Sequence, residues 1–223
     1  MEWCGLPIFA GEWRDLEGDE ASRIIGEIHA AAFDRRGDLI RDAHIEAVRA
    51  MPLACYPGAT LIEAQARIGD RPGLSNHIIG PWGLVTLDGC SAVIHDLNEM
   101  EGGLTLETEA AVRDYHALFC NTVRGEDGRF LTLTDPNALL WHAPPEDAIF
   151  AAITIGVKVS AGEEGWKIEA PIAYGAALFV AEFQLMPSGM IEMVDDWPVV
   201  EGMPVVVEEW LSQFRLPPQR RAM

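Results

Sequence analysis

Four side chains in the stretch 84–133 are of the types that bind metals or attack carbonyls: Cys90, His95, His116 and Cys120. They read C-x4-H followed by H-x3-C, two sulfurs and two nitrogens, the ligand set of a structural zinc. The first pair is wider than the usual two-to-four-residue knuckle, and no second pair supports it. His116 and Cys120 stand four apart, which on a helix puts them on one face and suggests a Cys–His nucleophilic pair. A thiol in the last turns of a helix faces the negative end of the dipole, which works against the thiolate such chemistry needs. His95 is followed by Asp96, the residue types of a general base and its orienting carboxylate. Neighbours in sequence rarely face one another, so turn capping by Asp96 or Asn98 competes with that role. Cys120 beside Phe119 also reads as a small buried apolar side chain. The candidate catalytic group is therefore His95, Asp96, His116 and Cys120, and the candidate metal set is Cys90, His95, His116 and Cys120. No cofactor is expected.

A second group of residues suggests binding. Asp195 and Asp196 precede Trp197-Pro198 at the end of an expected strand, where an aromatic beside carboxylates can floor a small cleft. Glu126-Asp127 is a similar acidic pair, but neither has the oxygen-rich loop of an EF-hand. Trp82, Trp141 and Trp197 fall in expected loops beside Pro or Gly. Loop tryptophans either anchor a partner or plug the end of a sheet. No G-x-S-x-G, Walker A, G-x-G-x-x-G or HExxH pattern occurs.

The elements that must position these groups can be read from spacing. Residues 3–10 suggest a short edge strand limited by Pro7. Asp19 opens a helix with Ile24, Ile25, Ile28, Ala31 and Ala32 on one face, ended or bent at Gly37. Asp38 then caps a second helix whose stripe is Leu39, Ala43, Ala47 and Ala50, stopped by Pro52. Residues 59–68 favour a half-buried strand with Ile62, Ala64, Ala66 and Ile68 inward, and 77–79 with 84–87 a hairpin. Thr105 caps the long helix, which runs to Gly125 and carries Ala111, Tyr115, Leu118, Phe119 and Thr122 on its apolar face. Residues 130–133 return as a strand.

From residue 148 the pattern is β: strand-like runs at 149–160, 166–174, 176–186 and 190–194 make an antiparallel meander. The third carries apolar residues on both faces and belongs near the sheet centre, while Pro171 puts the second at an edge or bulge. A short helix is expected after Pro204 with Trp210, Leu211 and Phe214 inward, then a frayed tail over 215–223. The fold class is α+β, a C-terminal antiparallel meander covered by N-terminal and central helices. One domain over 1–223 is the simplest division; residues 134–147, with three prolines, mark an alternative boundary between 1–135 and 148–214.

Composition narrows the function. Against 16 Lys and Arg stand 35 Asp and Glu, a net charge of −19, which disfavours nucleic acid and anionic membrane surfaces. Four widely spaced cysteines without a CxxC pair, and an N-terminus without a basic leader, read as a soluble cytoplasmic protein with free thiols. Two readings follow. One is a non-catalytic protein-binding or regulatory domain whose partner has a basic surface. The other is a small-molecule enzyme or ligand-binding protein with a pocket between helices and sheet around His95 and His116.

Overall fold

The computed structural model describes residues 2–33 and 38–217, and the helix stop expected at Gly37 and the tail beyond Pro217 lie outside the described residues. The chain opens with irregular backbone and a two-residue strand β1 (Arg14–Asp15), then α1 (Gly18–Ala32), the single turn α2 (Leu39–Asp42), β2 (His44–Pro52), β3 (Thr60–Ile68), β4 (Arg71–Gly80) and β5 (Gly83–Leu87). Helices α3 (Ser91–Asn98) and α4 (Glu109–Thr122) follow, then the short strands β6 (Arg124–Gly125), β7 (Gly128–Arg129), β8 (Leu131–Thr132) and β9 (Leu140–Trp141) around a 3-10 turn at Pro136–Ala138. Helix α5 (Asp147–Ile155) leads into β10 (Lys158–Gly162), β11 (Gly165–Tyr174), β12 (Ala177–Leu185) and β13 (Ile191–Val200), and the chain ends in β14 (Val205–Val206), β15 (Glu209–Leu211) and β16 (Phe214–Leu216).

Two antiparallel sheets dominate. The first has the order β1-β2-β3-β4-β16-β15, with β5 also on β4; the second has β10-β11-β12-β13, with β8 on β11. The architecture is α+β with antiparallel pairing throughout. Helix α1 buries Ile24, Ile28 and Ala32 in a cluster with Val48, Ile62 and Ala64, so it packs on the first sheet and not on the C-terminal one. The largest cluster joins the opposite face of the first sheet (Leu61, Ile78) to α3, α4 and the second sheet (Ile168, Ala181, Phe183), drawing on both sides of residues 134–147. The outer end of the second sheet packs Leu178 and Ala173 on Ile149 and Ala152 of α5.

Several expected elements take another form, each for a physical reason. The second helix stops after one turn, and β2 replaces the rest. Strands on both sides of β2 bury Val48, Arg49, Ala50 and Met51 in succession, and a bulge between Ile45 and Ala47 shifts its alternation. That erases period two and leaves small residues at helix-like spacing. The run 149–160 splits at Gly156 (φ 66°), with a helix before it and β10 after it. Ile149 and Ala152 are its buried residues, and the alternating isoleucines fit either period over so short a run. The expected helix after Pro204 is the β15–β16 hairpin, turned at Ser212 (φ 52°). There Phe214 is buried as expected, whereas Leu211 is exposed. Residues 3–10 form no strand, because their carbonyls bond to arginine side chains instead of a sheet.

The long helix begins one turn later than expected. Thr108, not Thr105, accepts the hydrogen bond from Ala111 N at its N-terminus (3.2 Å). The strand expected at 190–194 continues through Asp195, Asp196, Trp197 and Pro198. Pro198 is tolerated because β13 is an edge strand and a missing N–H there costs no ladder bond. As expected from their two-sided apolar pattern, residues 177–185 form an interior strand, β12 between β11 and β13.

Candidate functional site

Helix α4 sits in the largest core cluster with Tyr115 and Leu118 buried there. Its capped N-terminus and apolar face explain the helix; of its buried polar residues, Asn121 and Thr122 bond to carbonyls one turn back, whereas His116 is fully buried without a partner. Its ring meets Phe183 of β12 edge-on, centroids 4.9 Å apart, and neither ring nitrogen has a hydrogen-bond partner. Burial, and secondarily Arg113 one turn earlier, pull its pKa down to about 4, so the imidazole is neutral at neutral pH. A buried ring with two unmet polar atoms is costly, and such a group calls for an explanation.

Beside it lies a cavity of ≈ 450 Å³ whose lining includes His116, with the ring nitrogens themselves covered. The N-terminal segment Leu6 to Ala10 forms one wall, Ala117 and Asn121 of α4 another, and Leu131 and Thr132 of β8 a third. Thr132 Oγ1 is also buried; it lies beside the Cys120 thiol and has no nitrogen or oxygen partner. Asp114 sits toward Ala54, whose N–H donates to it at 2.8 Å; burial pushes its carboxyl up and that bond pulls it partly back.

Arg129 reaches the same cavity but brings no free charge. Its Nε and Nη2 donate to Glu208 at 2.8 and 2.9 Å, and its Nη1 donates to Ile8 O at 2.5 Å. Arg129 and Glu208 belong to a row of ions that is buried except for the part-exposed Glu208. Arg49 pairs with Glu63, Glu63 with Arg215 at 3.2 Å, Arg215 with Glu208 at 3.2 Å, and Glu208 with Arg129. Three guanidiniums thus share two carboxylates, and main-chain carbonyls take up much of the remaining donor capacity. Gly5 O accepts from Arg49 (3.4 Å), Leu6 O from Arg215 (2.5 Å) and Ile8 O from Arg129. Burial drives Arg129 down, while in Glu208 the two arginines outweigh burial and hold the carboxyl below its usual range. The N-terminal segment is thereby strapped across the ion row and becomes a cavity wall.

Of the residues singled out by sequence, only His116 lines this cavity. Cys120 is buried one turn further along, and burial pushes its thiol up to about 12, against a smaller lowering by the Thr132 hydroxyl. A thiol protonated at neutral pH lacks the thiolate that a Cys–His pair needs, which weighs against that role for Cys120. His95 and His116 do not meet. His95 of α3 packs 6.0 Å from Phe119, whereas His116 faces Phe183. Positions 116 and 119 differ by about 60° around the helix, and α3 contacts α4 on the Tyr115 and Phe119 side, where Asn98 Nδ2 donates to Tyr115 Oη at 2.9 Å. Asp96 and Cys90 are exposed, Cys90 at the start of α3. Among the described residues no three His, Cys, Asp or Glu side chains are placed to hold a metal ion, so Cys90, His95, His116 and Cys120 do not form one site.

The binding candidates separate likewise. Trp82 lies in the two-residue turn between Gly80 and Gly83, its ring 6.3 Å edge-on to Tyr56. Trp141 belongs to β9 and donates from Nε1 to Pro136 O at 2.8 Å. Trp197, Asp195 and Asp196 stand exposed together on β13. Sequence reasoning missed Arg49, Glu63, Arg129, Glu208, Arg215 and Thr132. Glu63 and Gln65 alternate with apolar residues in β3 and read as a solvent face; that face is buried because the N-terminal strap and Arg215 cover it. No described helix is long and apolar enough to cross a membrane. Comparison with protein-family models, with curated proteins and with solved structures gives no match to this chain.

Proposed function

We propose that this protein binds a small, uncharged organic molecule in the cavity beside His116, through a hydroxyl or amide group at one end and an apolar body at the other. The observation that carries the reading is an unpartnered, neutral imidazole in the wall of a cavity of ≈ 450 Å³; its nitrogens are covered in the empty protein, so binding includes a turn of the ring toward the ligand. That volume lies within the range of small-molecule sites. A neutral imidazole offers one donor and one acceptor, and the Thr132 hydroxyl offers both, which is the complement of an alcohol or amide. Leu6, Ile8, Phe9 and Leu131 supply apolar wall. An anionic ligand is disfavoured because the Arg129 charge is engaged by Glu208, because Arg113 donates to Val157 O and lies 3.8 Å from Glu109, and because Asp114 and Asp135 also line the cavity. With Cys120 protonated and outside the lining, and no thiol in the lining itself, the arrangement supports binding in preference to nucleophilic catalysis.

The test uses benzyl alcohol and benzamide as probes, with benzoate as the charged comparison, followed by NMR of the protein. Expected are millimolar affinities for the two neutral probes, shifts centred on His116 and Thr132, and binding at least about tenfold weaker for benzoate, as eight or nine heavy atoms allow. His116→Phe and Thr132→Val each remove the polar contact without opening space and should abolish the response. Equal binding of benzoate, unchanged binding in both variants, or no binding of either neutral probe overturns the reading.

The same reading takes the chain as one α+β domain in which α4 and α5 pack on the C-terminal sheet, supported by the core cluster that crosses residues 134–147. The acidic balance and the four free cysteines support a soluble, cytoplasmic protein.

A further inference from the structure

Strand β13 is the outer strand of the second sheet, and residues 192–198 are exposed along it. Its register with β12 sets Glu192 opposite Gln184, Asp195 opposite Glu182 and Trp197 opposite Val180. Directly opposed residues of an antiparallel pair share a face, so Glu182, Glu192, Asp195 and Trp197 all project from one side of the sheet. The Leu178 end of this side is covered by α5, while Glu182, Glu192, Asp195 and Trp197 remain exposed.

Like charges directly across a ladder repel. Glu169 of β11 stands directly opposite Glu182 on its other side and is answered by Lys158 at 2.7 Å, which leaves Glu182 between two carboxylates. Among the described residues no salt bridge reaches Glu182, Glu192 or Asp195. Lys167, opposite Gln184, is the nearest cation by register, and it stands one strand further in. Beside the opposed carboxylates Trp197 keeps 46% of its surface exposed and the bulged Val194 56%.

We propose that this face of β12 and β13 docks a basic segment of another protein, with an arginine or lysine seated on the Trp197 ring and its charge between Glu182 and Asp195. Charge complementarity selects the occupant: a cation relieves the Glu182–Asp195 repulsion, and an indole face beside carboxylates holds a guanidinium by cation–π attraction. A second copy of this chain is disfavoured, because a two-fold contact would set the same carboxylates against each other. Docking is through side chains on the face. Strand addition at the β13 edge is opposed by its two bulges and by Pro198, devices that interrupt a ladder. This inference is independent of the cavity.

The test titrates the full chain with a capped decapeptide of alternating arginine and serine, with glutamate replacing arginine in the control peptide, and follows backbone and indole NMR signals at low and high salt. Expected are salt-sensitive shifts confined to β12, β13 and the Trp197 indole, and no response to the glutamate peptide. The double variant Glu182→Gln with Asp195→Asn should weaken binding about tenfold, the sum of two exposed ion pairs, and Trp197→Ala severalfold. Glu17→Gln with Asp70→Asn, exposed acids beside α1 and in the β3–β4 turn of the first sheet that change net charge equally, should leave it unchanged. If the remote variant weakens binding as much as the local one, if shifts map elsewhere, or if no binding is seen at millimolar peptide, the proposal fails. It also fails if sedimentation shows a dimer that Trp197→Ala dissolves.

Discussion

Arg129 and Glu208, 79 residues apart in the chain, meet through two parallel hydrogen bonds of 2.8 and 2.9 Å. This bidentate contact leaves the arginine one free arm, which holds the Ile8 carbonyl. It therefore does two things at once: it neutralises the buried one of the two arginines that line the cavity, and it fixes the cavity's N-terminal wall. Glu208 also accepts from Arg215, so a single carboxylate balances two buried cations.

Removing that carboxylate leaves both arginines without their shared counter-ion. Glu208→Gln should destabilise the protein by about 3–5 kcal/mol, the usual cost of breaking a buried ion pair from one side. Urea unfolding monitored by tryptophan fluorescence measures it. A cost below about 1 kcal/mol, the range of exposed pairs, would show that the row is solvated in solution.

The pH dependence follows from two histidines. His116 is pulled down to about 4, and His77, fully buried between Ser75 and Thr86, to about 3, in each case by burial first. In the unfolded chain both titrate near 6.5. Between about 4 and 6.5 the unfolded state therefore binds more protons than the folded one, and stability falls as pH is lowered through that window. At pH 5 the loss should be on the order of 1–2 kcal/mol per histidine relative to pH 7.5. Glu208, held below its normal range, adds to the loss only at lower pH, as its folded pKa is approached. Urea midpoints measured from pH 7.5 to 4.5 check this, and His116→Phe should remove about half of the slope.

Much of the scaffold is visible in the sequence, and the site mostly is not. The β3 strand, the β4–β5 hairpin, α4 and the β11–β12 hairpin are legible because one period and one set of turn residues agree in each. β2 is not, because burial on both faces removes the alternation that marks a strand. His116 is legible as an odd residue on an apolar helix face, but its surroundings are not. Phe183 and Thr132 reach it through pairings of β8, β11 and β12 that no local pattern specifies. The ion row is least legible of all. Each charged residue lies in an ordinary polar position of its own strand, and burial comes from segments up to 209 residues away, as where Arg215 holds Leu6.

Gly189 tests how α3 and α4 are held to the second sheet. Its carbonyl accepts from Tyr115 Oη at 2.6 Å, and Asn98 and Tyr56 continue the chain at 2.9 and 2.5 Å. Its φ is +84°, and an added Cβ would lie 2.3 Å from Asn98 Nδ2 and 2.8 Å from Tyr115 Oη. Gly189→Ala combines a left-handed backbone with displacement of a buried hydrogen bond, so a loss of about 2–3 kcal/mol is expected. Tyr115→Phe removes the hydroxyl alone and should cost about 1–2 kcal/mol, in part because Gly189 O is left unpaired. Comparable melting temperatures for wild type and Gly189→Ala would show that the turn relaxes away from α4.

Ala117 provides the most direct separation of cavity from core. It lies one residue beyond His116, lines the cavity and is half-buried, so a larger side chain there has empty space to enter. Ala117→Phe should fill part of the ≈ 450 Å³ with little cost in stability, within about 1 kcal/mol of wild type, because overpacking penalties arise only where neighbours must move. The same substitution should abolish the response to benzyl alcohol. Ala111, on the same helix but 2% exposed in the closed core, is the contrast. Ala111→Phe should cost about 1–3 kcal/mol or more, because no void accepts the ring. Thermal melts of the two variants side by side distinguish these cases. Equal destabilisation would mean that the cavity is closed in solution, and unchanged benzyl alcohol binding by Ala117→Phe would place the ligand elsewhere.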